Sequence, residues 1–325
     1  MRNSFYFLLF LIIPAFTVKA GDKIDRYKLV TRHNIVHSRI DPMNSLTVGN
    51  GEFAYTADIT GMQTFPEYYE RGISLGTESQ WGWHSFPNPE NYSFNEVIKK
   101  YKVGADSIPY IYQFDESAGE RKFNASEWLR SNSHRLHLGM IGLEIQKKNS
   151  EVISIKDISK PKQKLNLWTG ELTSYFEVEG EPVEVSTLCH QQLEMLAFKI
   201  KSPLVKNGKL KVKVSFLDAS NGKFSPGYNL VSSGQYTSSI FLETTSRVIF
   251  KRLLDSTVYY AQFDWKGLAK VKRTVNQAYL ISPSGESDEF QVCIRFEKDK
   301  GLVSIPLYTE TVKNNEESWK KFWES

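Results

Sequence analysis

The chain has 325 residues, with 41 Lys and Arg against 37 Asp and Glu, a formal net charge of +4. Its cations are scattered singly, and the densest basic stretch, Lys206 to Lys213, alternates with Leu210 and Val212 as on the wet face of a strand, which argues against a nucleic-acid partner. Two cysteines, Cys189 and Cys293, permit at most one disulfide within the chain and demand none; each lies in an apolar strand-like run, so a bridge and a pair of buried thiols both stay open.

In chain order, Arg2 precedes the apolar run Phe5 to Phe16 and then Val18-Lys19-Ala20, a small-x-small pattern suited to signal peptidase. Residues 1–20 read as a cleavable signal, and the absence of cysteine at the cleavage point argues against a lipid anchor. The expected location is therefore secreted or periplasmic. The apolar run is too short for the roughly 20 residues of a membrane span. No later segment approaches that length, so no membrane partner is expected after cleavage. The rest of the chain suits one large β domain or two small ones.

The segment Gly61 to Asn88 crowds Phe65, Tyr68, Tyr69, Trp81, Trp83 and Phe86 among Pro66, Gly72, Gly76, Gly82 and Pro87, without helical or strand period. It reads as a long ordered loop, spanning 61–94. Rigid aromatics beside carboxylates (Glu67, Glu70, Glu78), an amide (Gln80) and an imidazole (His84) usually shape a binding surface on a scaffold. Flat apolar faces next to hydrogen-bonding groups suit sugars, whose rings have C–H faces and hydroxyl rims.

Short helices are expected over Asn95 to Lys102 and Ala125 to Arg130. From residue 134 onward β-branched and aromatic residues dominate successive runs, among them Leu136–Ile145, Leu172–Val178, Val183–Thr187, Met195–Ile200, Leu210–Phe216, Arg247–Phe250, Val258–Phe263 and Glu289–Phe296. In Glu177 to Val185 the apolar positions alternate on both sides of a Glu-Gly-Glu turn, a hairpin pattern. Asn207-Gly208, Asn221-Gly222 and Ser284-Gly285 are further turn signals. So many strands and so few helical windows predict an all-β fold, a large antiparallel β-sandwich. Lys313 to Ser325 differs in kind: Asn315 can cap, and Trp319, Phe322 and Trp323 fall at i, i+3 and i+4. That stripe needs a partner, either the sandwich itself or a following domain.

Taken together, Arg32-His-Asn, the run Asp41 to Thr60, the aromatic segment, Trp128-Leu-Arg130, His134 to Gly139 and Leu167 to Glu171 resemble the N-terminal β-sandwich module of bacterial secreted proteins related to six-hairpin glycosidases. Within this, Thr47 to Asp58 is similar to the Gly-Asn-Gly turn of glycoside hydrolase families 65 and 15. The resemblance implies a sandwich over 21–312, a linker helix beginning at 313–325, and an (α/α)6 barrel that this chain does not contain. In such enzymes the barrel supplies the catalytic carboxylates, so no catalytic residue is expected here. A separate or missing barrel is an expected partner.

The expected substrate-binding residues are Trp81, Trp83, His84, Gln80, Glu67 and Asn50, with an oligo- or polysaccharide as partner. Each has a plainer reading. Trp81 and Trp83 could plug the edge of the sandwich, His84 could satisfy a backbone carbonyl, and Asn50 between two glycines could simply form the turn. No metal and no cofactor is expected: there is no His-x-His on a strand, and His134 and His137 would fall on opposite faces of one. No Gly-x-Ser-x-Gly elbow supports a serine nucleophile. Three functions follow: a non-catalytic sandwich of a glycosidase-like protein, a stand-alone lectin-like sandwich, and an aldose-epimerase-like enzyme that would need a His and a carboxylate in one cleft.

Overall fold

In the strand Glu171–Val178 the side chains of Leu172, Ser174, Phe176 and Val178 are buried while Thr173, Tyr175 and Glu177 face outward, the period of two that one buried sheet face imposes. This computed structural model describes residues 24–111, 119–131, 134–221, 225–231, 233–274, 277–299 and 304–325. The expected signal segment and Gly222 of the Asn221-Gly222 turn lie outside them.

Nine antiparallel strands form the larger sheet, in the spatial order Ile35–His37, Ile158–Asn166, Glu171–Val178, Glu181–Cys189, Met195–Lys201, Glu289–Glu297, Thr257–Trp265, Arg247–Leu254 and Thr237–Glu243. A four-stranded sheet, Leu268–Arg273, Ala278–Ser284, Leu210–Ser215 and Met140–Ile145, packs over it. Rings close the space between them: Phe250 of the larger sheet lies 5.4 Å from Phe216 and 4.5 Å from Tyr279 of the smaller. Such offset and edge contacts add to burial through the ring quadrupoles. A three-stranded sheet, Leu46–Gly49, Phe53–Ala57 and Thr77–Ser79, completes the body. The all-β sandwich is the architecture of the chain.

The expected hairpin is present with Val178 paired to Glu181, and Glu179 and Gly180 at its tip have φ of +50° and +86°. Both central residues at positive φ match the twist of the flanking strands. Asn207-Gly208 ends a short helix instead: Ser202 caps Pro203–Lys206, and Gly208 at φ +68° follows.

Several expectations are corrected. Asn95 to Lys102 is not a helix; one 3-10 turn over Phe94–Val97 leads into a strand, Ile98–Val103, paired with Asp106–Ile111. The predicted helix at Ala125 to Arg130 extends over Glu120–Ser131. The lysine-rich strand Ile158–Asn166 was not expected, because a register break between Ser159 and Lys162, with Lys160 at φ +48°, interrupts its alternation. The terminal helix runs Tyr308–Glu324, its first turn closed by Glu310 reaching back to Leu307 N, and Asn315 is buried mid-helix rather than capping. Trp319 and Trp323 of its aromatic stripe fold back onto the sandwich, while Phe322 stays exposed. Trp323 donates to Leu167 O at 2.9 Å, and Trp319 lies against Gly170. Cys189 and Cys293 are free and buried, and burial pushes both thiols up.

The aromatic segment is also less of a loop than its sequence reads. Met62, Phe65, Tyr69 and Leu75 are buried, and short elements at Pro66–Tyr69, Thr77–Ser79 and Trp83–His84 punctuate it. Asp58 organises its start. One carboxylate oxygen accepts from Thr60 N and Oγ1, the other from Thr64 N and Phe65 N, at 2.5 to 2.8 Å.

Candidate functional site

Five of the six side chains predicted for the site, all but Glu67, converge on one end of the sandwich. Here the larger sheet presents the turn 190–194, the turn at Asp255 and Ser256, and the end of the strand Glu289–Glu297, all brought level by antiparallel pairing of Met195 with Arg295 and of Tyr260 with Glu297. The smaller elements meet this rim from the other side through the Gly49 to Phe53 turn and the run Ser79 to His84.

Asn50 is a fastener. Its Oδ1 accepts from Glu52 N and Phe53 N at 3.0 and 2.9 Å, while Nδ2 donates to His190 O and Leu193 O, both at 3.0 Å. Gly49 is needed beside it, since a Cβ there would sit 2.6 Å from Phe53 O. The turn therefore locks the two halves of the rim together with no Asn50 hydrogen-bonding capacity left over.

Trp81 lies across the joint, half-buried, with its ring centroid 6.1 Å from that of Tyr259. Its indole N–H donates to the carboxylate of Glu194. Burial raises the pKa of Glu194, aided by the charge of Glu52 and opposed by the bonds from Ser79 and Trp81 and by the charge of Arg295. Glu297 is likewise pushed up by burial, and Arg295 Nη2 holds it at 2.5 Å. Trp83 is 47% exposed, and the Arg135 guanidinium sits 5.6 Å from its ring centroid. Arg135 also donates to Ser79 O and Gln80 O at 3.2 and 3.0 Å, which fixes the strand leading to that ring. Gln80 is exposed beside it, its backbone N bonded to Glu52 O at 2.8 Å.

His84 is buried, with Nδ1 3.2 Å from Thr257 Oγ1 and Nε2 3.3 Å from the Asp255 carboxylate. Burial pushes its pKa down against the opposing pull of Asp255. Rings of Phe86 and Tyr236 lie edge-on at 5.1 and 5.8 Å. It ties the aromatic segment to the Asp255 turn. Glu67 is not at the rim; it is exposed on the short helix Pro66–Tyr69 and lines a cleft over the smaller sheet.

The structure thus brings Asn50, Gln80, Trp81, Trp83 and His84 to one rim and leaves Glu67 apart. Against known structures, 90% of the chain superposes on 38% of a putative kojibiose phosphorylase from the human microbiome, with a TM-score of 0.50 and 10% identity. The chain shares its fold with part of that phosphorylase. It spans under two-fifths of that protein's length. A bacterial glucoamylase solved with acarbose aligns over 56% of this chain and 31% of its own, at 11% identity and a TM-score of 0.36. A family GH92 α-mannosidase from Bacteroides thetaiotaomicron, solved with mannoimidazole, aligns over 57% and 28%, at 8% identity and a TM-score of 0.25. No family model and no curated protein matches the sequence.

Three rim residues were not singled out for the site from sequence. Glu194 and Asp255 sit in turns whose neighbours are set only by the fold. Arg135 stood out only within the His134 to Gly139 run, not as the neighbour of Trp83.

Proposed function

We propose that this chain is the non-catalytic sandwich of an exported carbohydrate-active protein, whose rim forms one wall of a sugar site and whose acid and base come from an (α/α)6 barrel outside these residues. The observation that carries this reading is the exposed Trp83 ring, held by Arg135 and two residues along the chain from Trp81, whose indole N–H donates to Glu194. A flat apolar face beside carboxylate, guanidinium and amide groups matches a pyranose, with its C–H face and ring of hydroxyls. The fold likeness to part of a phosphorylase, and the sequence likeness to six-hairpin glycosidases, support a larger assembly. Inverting and retaining glycosidases need carboxyl pairs about 6.5–9.5 Å and about 5–5.5 Å apart, flanking a bond to be cut. At the rim Glu194 is committed to Trp81 and Glu297 to Arg295, which favours binding over cleavage.

A lectin-like sandwich acting alone is the second reading, and the same Trp83 ring favours it. The epimerase reading loses ground: His84 and Asp255 do adjoin, but the imidazole is buried away from solvent, with Nδ1 already at hydrogen-bond distance from Thr257 Oγ1.

The test is carbohydrate-array binding by residues 21–325, with Trp83→Ala as the variant, since a half-exposed ring can be removed without opening the core. Binding that Trp83→Ala abolishes while thermal unfolding stays put is the expected result. Hydrolysis of any glycoside by the purified chain would sink the non-catalytic reading.

A further inference from the structure

A cleft of about 700 Å³ lies away from the rim, between the outer face of the smaller sheet and the segments 63–68 and 152–155. Its volume is that of a small-molecule site. The sheet's register explains why it is open. Gly142 pairs with Lys213 and Met140 with Ser215, which in turn pairs with Ala278, so short side chains on three neighbouring strands leave the floor low. The loop crossing at Gln63 seals one side: a Cβ on Gly142 would sit 2.3 Å from Gln63 O. Val152 to Ile155 close the opposite side.

The lining is chemically mixed. Glu144 is already paired with Lys211 at 3.2 Å, which leaves Glu67 and Lys213 as the charged groups. Both are exposed, and neither forms an ion pair among the described residues. Tyr68 offers a half-buried ring next to Glu67, and Ser215 offers a hydroxyl, whereas that of Thr274 already donates to Ala278 O at 3.1 Å. Polar and apolar groups share the lining almost equally, a wetter surface than most small-molecule sites present and one suited to a hydroxyl-rich ligand. One carboxylate and one ammonium cancel in charge, so the cleft favours neither an anion nor a cation. They provide an acceptor and a donor for hydroxyl groups, and Tyr68 provides a face for C–H groups.

We propose that this cleft is a second saccharide site, taking a short neutral oligosaccharide and operating independently of the rim. Glu67 accepts from sugar hydroxyls, Lys213 donates to them from the floor, and Tyr68 stacks on a ring. With Glu67 and Lys213 in balance, a sulfated or phosphorylated chain gains no advantage over a neutral one.

The experiment is calorimetric titration of residues 21–325 with maltotriose, cellotriose, mannotriose and galactotriose, and with a sulfated trisaccharide as the anionic probe. The variants are Glu67→Ala with Lys213→Ala together, and Trp83→Ala alone; all three positions are solvent-exposed, so the fold is expected to survive, and circular dichroism checks it. The expected result is that at least one neutral trisaccharide binds, that the double variant weakens it tenfold or more, and that Trp83→Ala leaves that component unchanged. Three outcomes overturn the proposal: no neutral trisaccharide binds, binding is insensitive to the double variant, or the sulfated probe binds the cleft more tightly than its neutral counterpart. Binding lost in Trp83→Ala but kept in the double variant overturns the cleft while leaving the rim reading intact.

Discussion

Trp81 and Glu194, separated by 113 positions in sequence, are joined by an indole N–H that donates to a carboxylate. The contact ties the aromatic segment to the turn between two central strands of the larger sheet. Hydrogen bonds to charged groups contribute about 1.5–3 kcal/mol net. Glu194→Ala is therefore expected to lower stability by about that amount in urea unfolding and to red-shift the emission of a loosened Trp81. Glu194→Gln keeps an acceptor and is expected to cost less than half as much. Equal losses for the two variants would show that the side chain's packing, not its bond to Trp81, sets the effect.

Asn50 tests whether the Gly-Asn-Gly turn is structural or a contact for ligand. All four of its side-chain bonds go to backbone groups. At about 0.5–1.5 kcal/mol each, losing them is expected to cost about 2–6 kcal/mol in Asn50→Ala. Asn50→Asp is expected to be at least as damaging, because it turns a carboxylate oxygen toward His190 O and Leu193 O. The measurement is the urea midpoint of each variant. Near-native midpoints with lost saccharide binding would instead make Asn50 a ligand contact.

Two buried groups should give stability opposite dependences on pH. Burial raises the pKa of Asp58 from 3.8 to about 6, against the opposing hydrogen bonds from Thr60, Thr64 and Phe65. The folded state thus holds this proton more tightly than the unfolded chain, so the contribution is fully present below about pH 3.8 and is lost as pH rises through about 6. The shift corresponds to about 3 kcal/mol. His137 is buried, its Nδ1 accepting from Gly139 N at 3.2 Å, and burial lowers its pKa from 6.5 to about 3. Its contribution is present above about pH 6.5 and lost as pH falls toward 3. Urea midpoints between pH 4 and 7.5 are expected to show that the difference between wild type and Asp58→Asn shrinks as pH rises. A difference that is constant across that range would contradict the raised Asp58 pKa.

What the sequence could and could not show follows from how far apart the interacting groups lie. The hairpin around Glu179-Gly180 is legible because alternation and a turn dipeptide are local. The strand Ile98–Val103 is not: its pairing with Asp106–Ile111 overrides a helical reading of Asn95 to Lys102, and most of its side chains are exposed, so no apolar alternation announces it. Ile158–Asn166 is hidden by the irregularity at Lys160, which shifts Gln163 and Leu165 out of the phase set by Ile158. At the site, Trp81, Trp83 and Gln80 could be singled out by residue type. Their partners Glu194 and Arg135 could not, since only the assembled sheets bring them near. Glu67 reads as part of the same aromatic cluster, yet the helix Pro66–Tyr69 and the buried run that follows turn it toward another face.

The docking of the C-terminal helix rests on a close approach that only glycine allows. Gly170 has φ +67°, and a Cβ there would lie 2.3 Å from Trp319 Nε1. Gly180, at φ +86°, has no atom within 4 Å of the same construction, so Gly180→Ala reports the backbone strain alone. Strain of this kind costs of order 1–3 kcal/mol, and overpacking adds about 1–3 more. Gly170→Ala is thus expected to be the more destabilising of the two, and specifically to loosen residues 308–324, which limited proteolysis would cut before the sandwich. Trp323 would lose its bond to Leu167 O and Arg26 its bond to Trp323 O in the same event. Equal unfolding midpoints for the two alanine variants, with the helix equally resistant to protease, would show that Trp319 can move aside and that the stripe does not depend on Gly170.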